Sequence, residues 1–167
     1  MNQANINLIK AECDNQKLTH LQSVAYILAT TEHETAGTYE PVREAFFVGD
    51  FDAAEVYRRK LAYYPYYGRG FVQLTWRRNY KVYSQLVGKD LEADPDLALD
   101  PATAAFILVH GFIHGTFTGY PLSRAVYPGL TDYINARRCI NGLDRAEHIA
   151  DLAKQWQARM TQGDAHV

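Results

Sequence analysis

The chain has 167 residues, 47% hydrophobic and 22% charged, which suffices for one domain with a sizeable core and hardly for two. A net charge of −2 lacks the basic excess that nucleic-acid binding needs, so no nucleic-acid partner is expected. No stretch approaches the roughly 18 apolar residues of a membrane span, so no stable membrane insertion is expected.

The amino terminus has no basic region followed by an apolar run, so no signal peptide is expected. Cys13 and Cys139 are the only cysteines. One disulfide is allowed by count, but a chain without a leader matures in a reducing compartment, so two free thiols are expected.

In chain order, a short helix is predicted over about 5–15. Thr19 precedes a longer one, in which Leu21, Val24, Ala25 and Leu28 recur at helical steps. It runs to Thr35 and stops near Gly37, a good C-terminal cap. Asp52 with Glu55 reads as a capping box opening a helix to about Ala62. The stretch 63–70, with one Pro and two Gly, reads as a loop or short hairpin leading into Phe71-Val72-Gln73-Leu74-Thr75. A helix follows from about Trp76 to Val87. Asp100-Pro101 starts an apolar, central helix over Ala102 to His114. Another covers Asp132 to Cys139, and Asp144 with Glu147 opens a last one to about Met160. The chain is therefore mainly α, with at most a small central sheet. No repeat or linker marks a boundary, so residues 1–167 are expected to form a single catalytic domain.

Glu34 follows Val24, Ile27 and Thr31 on one helical stripe. A carboxyl at the end of a helix with an apolar side is partly desolvated, which favours the protonated form a general acid needs. The plainer alternative is a solvated Glu in a last helical turn. Glycoside hydrolysis needs a second carboxylate. Glu44 lies ten residues on, past the turn at Gly37; its plainer alternative is an ion pair with Arg43 or Arg69. Glu32 points to a different helix face from Glu34, and Glu40 precedes Pro41 and reads as a loop residue.

The run from Tyr66 to Trp76 packs aromatic rings, amide, hydroxyl and guanidinium closely together. Sugars stack on aromatics and accept hydrogen bonds, and glycine lets backbone approach a ligand. Tyr67, Arg69, Gln73 and Thr75 are candidate sugar contacts; alternatively the glycines only make a tight turn and the tyrosines only cover the core. His33-Glu34 begins like the zinc motif His-Glu-x-x-His, but Gly37 holds the second His position. His110 and His114 are spaced as a ligand pair, which keeps a zinc-dependent wall amidase as an alternative. The favoured reading has no metal and no cofactor. Ser23, Ser84 and Ser123 lack a Gly-x-Ser-x-Gly setting.

Together these motifs resemble glycoside hydrolase family 19, the family of plant-type chitinases and many phage endolysins. His33-Glu34-Thr35-Ala36-Gly37 is similar to the family's His-Glu-Thr-Gly-Gly, whose Glu is the general acid. Tyr66-Tyr67-Gly68-Arg69-Gly70-Phe71-Val72-Gln73-Leu74-Thr75 is similar to its Tyr-Tyr-Gly-Arg-Gly-Pro-Ile-Gln-Leu-Thr, and Asn79-Tyr80 continues the likeness. Asp94-Pro95-Asp96-Leu97 and Ile140-Asn141-Gly142 resemble further segments. The resemblance implies a mainly α, lysozyme-like bilobal domain with a small central hairpin or sheet and a substrate cleft. It implies inverting hydrolysis of a β-1,4 bond between N-acetylated aminosugars, with Glu34 as acid and a second carboxylate, Glu44, as base, the two roughly 6.5–9.5 Å apart. Gln73, Thr75, Asn79 and Asn141 match substrate-contacting positions, and Thr35 and Thr38 are candidate helpers in placing water. Ala36 and Phe71 depart from the family's Gly and Pro, and the short spacing to Glu44 looks like the endolysin branch. That branch implies peptidoglycan glycan strands as partner and a monomer without a separate wall-binding module. It also implies a protein held in the host cytoplasm before release to the periplasm and cell wall. Chitin is the alternative substrate.

Overall fold

The computed structural model describes residues 1–163, and the four remaining positions of the expected domain lie outside the described residues. Seven α-helices, together with short 3₁₀ helices, carry most of the described chain: α1 Gln3–Asn15, α2 Leu21–Glu34, α3 Phe51–Arg59, α4 Arg77–Val87, α5 Pro101–His114, α6 Tyr133–Ala136 and α7 Ala146–Thr161. Two antiparallel pairs complete it, β1 Val42–Arg43 with β2 Arg69–Gly70, and β3 Val126–Tyr127 with β4 Leu130–Thr131. The expected mainly α class is what is observed.

The chain divides into two compact units. One comprises Met1–Tyr39 and the chain from Leu108 onward; the other is Glu40–Ile107, so α5 supplies residues to both. In the first unit, α2 packs on α7. Tyr26, fully buried, stacks on Tyr133 at 5.7 Å and meets the edge of Phe112 at 6.1 Å. Glu32 Oε2 accepts from the Tyr39 hydroxyl at 3.1 Å and Trp156 Nε1 at 2.8 Å, tying the end of α2 to α7. Cys13 and Cys139 are free and buried, and burial pushes both thiols up to about 12, where thiolate chemistry is suppressed.

In the second unit, Arg69 is a buried keystone. Its Nε donates to Asp96 at 2.7 Å, its Nη1 donates to the carbonyls of Pro65 and Tyr67, and the guanidinium lies 3.7 Å from the Tyr67 ring centroid. This network fixes the 63–70 loop that the sequence marks as irregular. Its strand partner, β1, carries no periodic signal because two residues are too few to show alternation.

Several cap assignments change. Asp50, not Asp52, caps α3, accepting from the Ala53 N–H at 2.8 Å. The expected box at Asp144 and Glu147 is absent: Arg145, in a left-handed conformation, precedes α7 and no side chain caps it. The helix expected over Asp132 to Cys139 is α6 followed by a 3₁₀ turn, Arg137–Cys139. Asp100 does cap α5, accepting from the Thr103 N–H at 3.1 Å. At the end of α2, Ala36 N–H donates to His33 O and Gly37 N–H to Glu32 O, a Schellman closure. Ala36 occupies its left-handed position at φ +50°, with Gly37 following at +77°.

Candidate active site

Glu34 is the last residue of α2, with its side chain 18% exposed. Arg137 Nη1, on a side chain 4% exposed, donates to Glu34 Oε1 at 2.8 Å, and Arg137 Nε is fixed on the Asp144 carbonyl at 3.0 Å. A buried guanidinium therefore orients the carboxylate. His33 lies in edge contact with His148, ring centroids 5.5 Å apart. Burial lowers the His33 pKa, against the pull of Glu34. Thr35 is fully buried and bonded to Thr31 O and the Tyr39 N–H, a structural hydroxyl rather than a holder of water. Thr38 donates to Thr35 O. Asn141 is exposed; its backbone N–H donates to Arg137 O at 3.0 Å and its Oδ1 accepts from Gly142 N–H.

Glu44 lies in the other unit, just beyond β1. Both its carboxylate oxygens are held: Tyr63 Oη donates to Oε1 at 2.8 Å and the Gly68 N–H to Oε2 at 2.8 Å. Its backbone N–H donates to Gly68 O at 2.7 Å, and Arg58 Nε donates to its carbonyl at 2.8 Å. Burial, then the Glu44 carboxylate, push the Tyr63 phenol up to about 12, so it remains a donor. The ion pair with Arg43 or Arg69 does not form; both arginines bind Asp96 instead.

Around Glu44 the central motif is assembled by Gly68 and Gln73. A Cβ on Gly68 would meet Gln73 Oε1 at 2.5 Å, so only glycine permits this approach. Gln73 Nε2 donates to Val42 O at 3.2 Å. Gln73 and Trp76 hold positive φ, +57° and +71°, and strain of this kind concentrates at functional sites. Asn79 Nδ2 donates to Thr75 O at 2.8 Å, and both residues are half-buried. Tyr67 and Arg69 are instead buried, 6% and 4% exposed; the Tyr67 carbonyl accepts from Arg69 and from the Tyr80 hydroxyl, and Arg69 also binds Asp96. They shape the loop that carries Glu44's donors.

Sequence reasoning missed Arg137 and Tyr63. Arg137 is 103 positions from Glu34, beyond any local spacing rule. Tyr63 opens the irregular 63–70 stretch, but nothing in that stretch tells which ring reaches a carboxylate. His110 and His114 sit 4.2 Å apart by ring centroid, and among the described residues no group of three His, Cys, Asp or Glu is arranged to hold a metal.

The family model for class I chitinases of glycoside hydrolase family 19 matches residues 9–131. Chitinase 12 of Oryza sativa subsp. japonica is 33% identical over 102 residues, covering 53% of this chain and 31% of that protein. Basic endochitinase B of Arabidopsis thaliana is 32% identical over 100 residues, covering 53% and 30%. The chain thus spans about a third of the length of these relatives. Among solved structures, a bacterial family 19 chitinase superposes with a TM-score of 0.60 at 21% identity, covering 94% of this chain and 85% of that one. Chitinase C from Streptomyces griseus HUT6037 gives 0.58 at 21%, covering 84% and 60%. At this identity the likeness establishes the fold, the lysozyme-like fold of that family.

Proposed function

The chain belongs to glycoside hydrolase family 19, and from that premise we propose that it hydrolyses β-1,4 bonds of an N-acetylated aminosugar polymer with inversion. Glu34 is the general acid that protonates the leaving glycosidic oxygen. Glu44 is the general base that takes a proton from the water attacking the anomeric carbon from the opposite face. The observation that carries this reading is the tether on Glu44. Tyr63 and the Gly68 N–H aim its carboxylate, and the same Gly68 is packed by Gln73 of the motif. A carboxylate held by two donors within an aromatic, amide-bearing loop suits base catalysis on a sugar. Gln73, Thr75, Asn79 and Asn141 supply hydrogen bonds to the glycan.

The polymer we propose is peptidoglycan, cut between N-acetylmuramic acid and N-acetylglucosamine, in the manner of a phage endolysin that lyses its host. The ten-residue spacing from Glu34 to Glu44 supports this compact branch. A second reading, chitin hydrolysis, draws on the names of the plant relatives. Mass analysis of products from purified sacculi, run beside soluble chitin oligomers, separates the two. Peptidoglycan cleavage releases muropeptides with new reducing ends on muramic acid; cleavage of chitin alone overturns the peptidoglycan reading. Glu34→Gln keeps shape but donates no proton, so activity on either polymer falls by about 10²–10⁴-fold while polymer binding persists. Unchanged activity would remove Glu34 from its role.

A further inference from the structure

The segment after Glu44 bears a feature that acid–base chemistry does not use. Ala45 turns the chain at φ +61°, and within a few residues Phe47 and Phe51 stand 80% and 71% exposed, with Phe46 and Val48 half open to solvent. Large aromatics left to water in such a cluster mark a binding surface. Phe46 and Phe51 also line a pocket of about 260 Å³, together with Ala54, Arg43, Asp50 and Arg58. Arg58 is 4% exposed, and its guanidinium lies 5.2 Å from the Tyr67 ring centroid; its Nη1 has no hydrogen-bond partner and stands 3.5 Å from the Glu55 carboxylate. A buried guanidinium nitrogen without a hydrogen-bond partner is costly unless a ligand engages it. Asp50 in the wall is already committed to capping α3, and Arg43 to Asp96. Arg58 also donates through Nε to the Glu44 carbonyl, which places the pocket beside the base.

We propose that this pocket, walled by Phe46, Phe51 and Ala54 and based on Arg58, takes the acidic peptide substituent that muramic acid carries and N-acetylglucosamine lacks. The inference rests on the peptidoglycan reading above. Small apolar side chains of the peptide lie against Phe46 and Phe51, and a peptide carboxylate draws to the guanidinium. Such a pocket selects the substituted sugar at the ring next to Glu44, giving peptidoglycan over chitin by added contact rather than by a different catalytic pair.

The test uses the whole protein with two substrates, intact glycan strands and strands stripped of their peptides by an amidase. Wild type should show kcat/KM at least fivefold higher on intact strands. Phe51→Ala, at an exposed site that tolerates truncation, should erase most of that ratio. A muramyl dipeptide should bind the wild type, and amidation of its carboxyl or Phe51→Ala should weaken binding at least threefold. Equal rates on intact and stripped strands, or Phe51→Ala lowering both alike, overturns the pocket while leaving peptidoglycan hydrolysis standing. Binding to vesicles of anionic phospholipid that is lost in Phe51→Ala, with the strand ratio unchanged, overturns it in favour of a lipid-facing surface. Cleavage of chitin oligomers with neither strand touched instead overturns the underlying reading.

Discussion

Glu44 and Glu34 are held in contrasting ways. Glu44 accepts from a neutral phenol and a backbone amide, whereas Glu34 lies on a buried guanidinium. Tyr63→Phe removes one charge-assisted hydrogen bond and nothing else of size. With such bonds contributing about 1.5–3 kcal/mol, and part of that recovered by water, kcat should fall about 10-fold with KM nearly unchanged. Steady-state kinetics on glycan strands checks this, and a rise in KM alone would place Tyr63 in binding rather than in aiming the base. The two halves of the pair also differ in how well the sequence reveals them. Glu34 stands in a motif, but its partner Arg137 is brought to it only by the fold. The tyrosine and arginine of the Tyr-Tyr-Gly-Arg-Gly run look like sugar contacts, yet Tyr67 and Arg69 are buried. Arg69 finds acceptors in the Pro65 and Tyr67 carbonyls, the Tyr80 hydroxyl and the Asp96 carboxylate, which offset the burial of its charge.

At the scale of the element, the end of α2 shows how a local departure from a motif is felt. Ala36 stands where the motif it resembles has glycine, and it occupies the left-handed position of a Schellman closure at φ +50°. An L-residue there costs about 1–2 kcal/mol, while glycine gives back about 0.4–1 kcal/mol through the freer unfolded chain. Ala36→Gly should therefore stabilise the protein by about 0.5–1 kcal/mol, read as a higher urea midpoint at unchanged m-value. Asp50 offers a matching loss: Asp50→Ala leaves the Ala53 N–H uncapped and should cost about 1 kcal/mol in the same assay. The corresponding change at Asp144 should cost no cap, because its side chain makes none.

Across the whole molecule, pH dependence follows from groups whose environments differ from water. Burial lowers the pKa of His33 and His110. Their unfolded value is roughly 6.5, so between the folded and unfolded values the unfolded chain binds more protons, and stability falls as pH drops through that window. Burial would raise Asp96, but hydrogen bonds from Arg43 and Arg69 prevail and hold it low. Its contribution is present above the unfolded carboxylate value of about 3.9 and is lost below it. Thermal unfolding followed by circular dichroism should show Tm declining from pH 7.5 to 5.5 and again below pH 4. The first limb should flatten when His33 and His110 are both replaced by Gln; a Tm that rises on acidification to pH 5.5 would contradict the assignment.

The sequence by itself determined the long helices and singled out the candidate acid. The period of Leu21, Val24, Ala25 and Leu28, the Asp100-Pro101 start and the Pro-Gly breaks of 63–70 are local signals, and local physics reads them. The tertiary structure alone decided what those residues meet. Two-residue strands have no period, so β1 and its pairing with β2 had to wait for the fold. So did the choice of Asp50 over Asp52 as cap, because two acidic residues two apart offer the same chemistry and only backbone direction picks one. Hydrogen bonds between residues far apart in the chain, Arg137 to Glu34 and Tyr63 to Glu44, depend on the packing of whole elements. No spacing rule in one dimension contains that information.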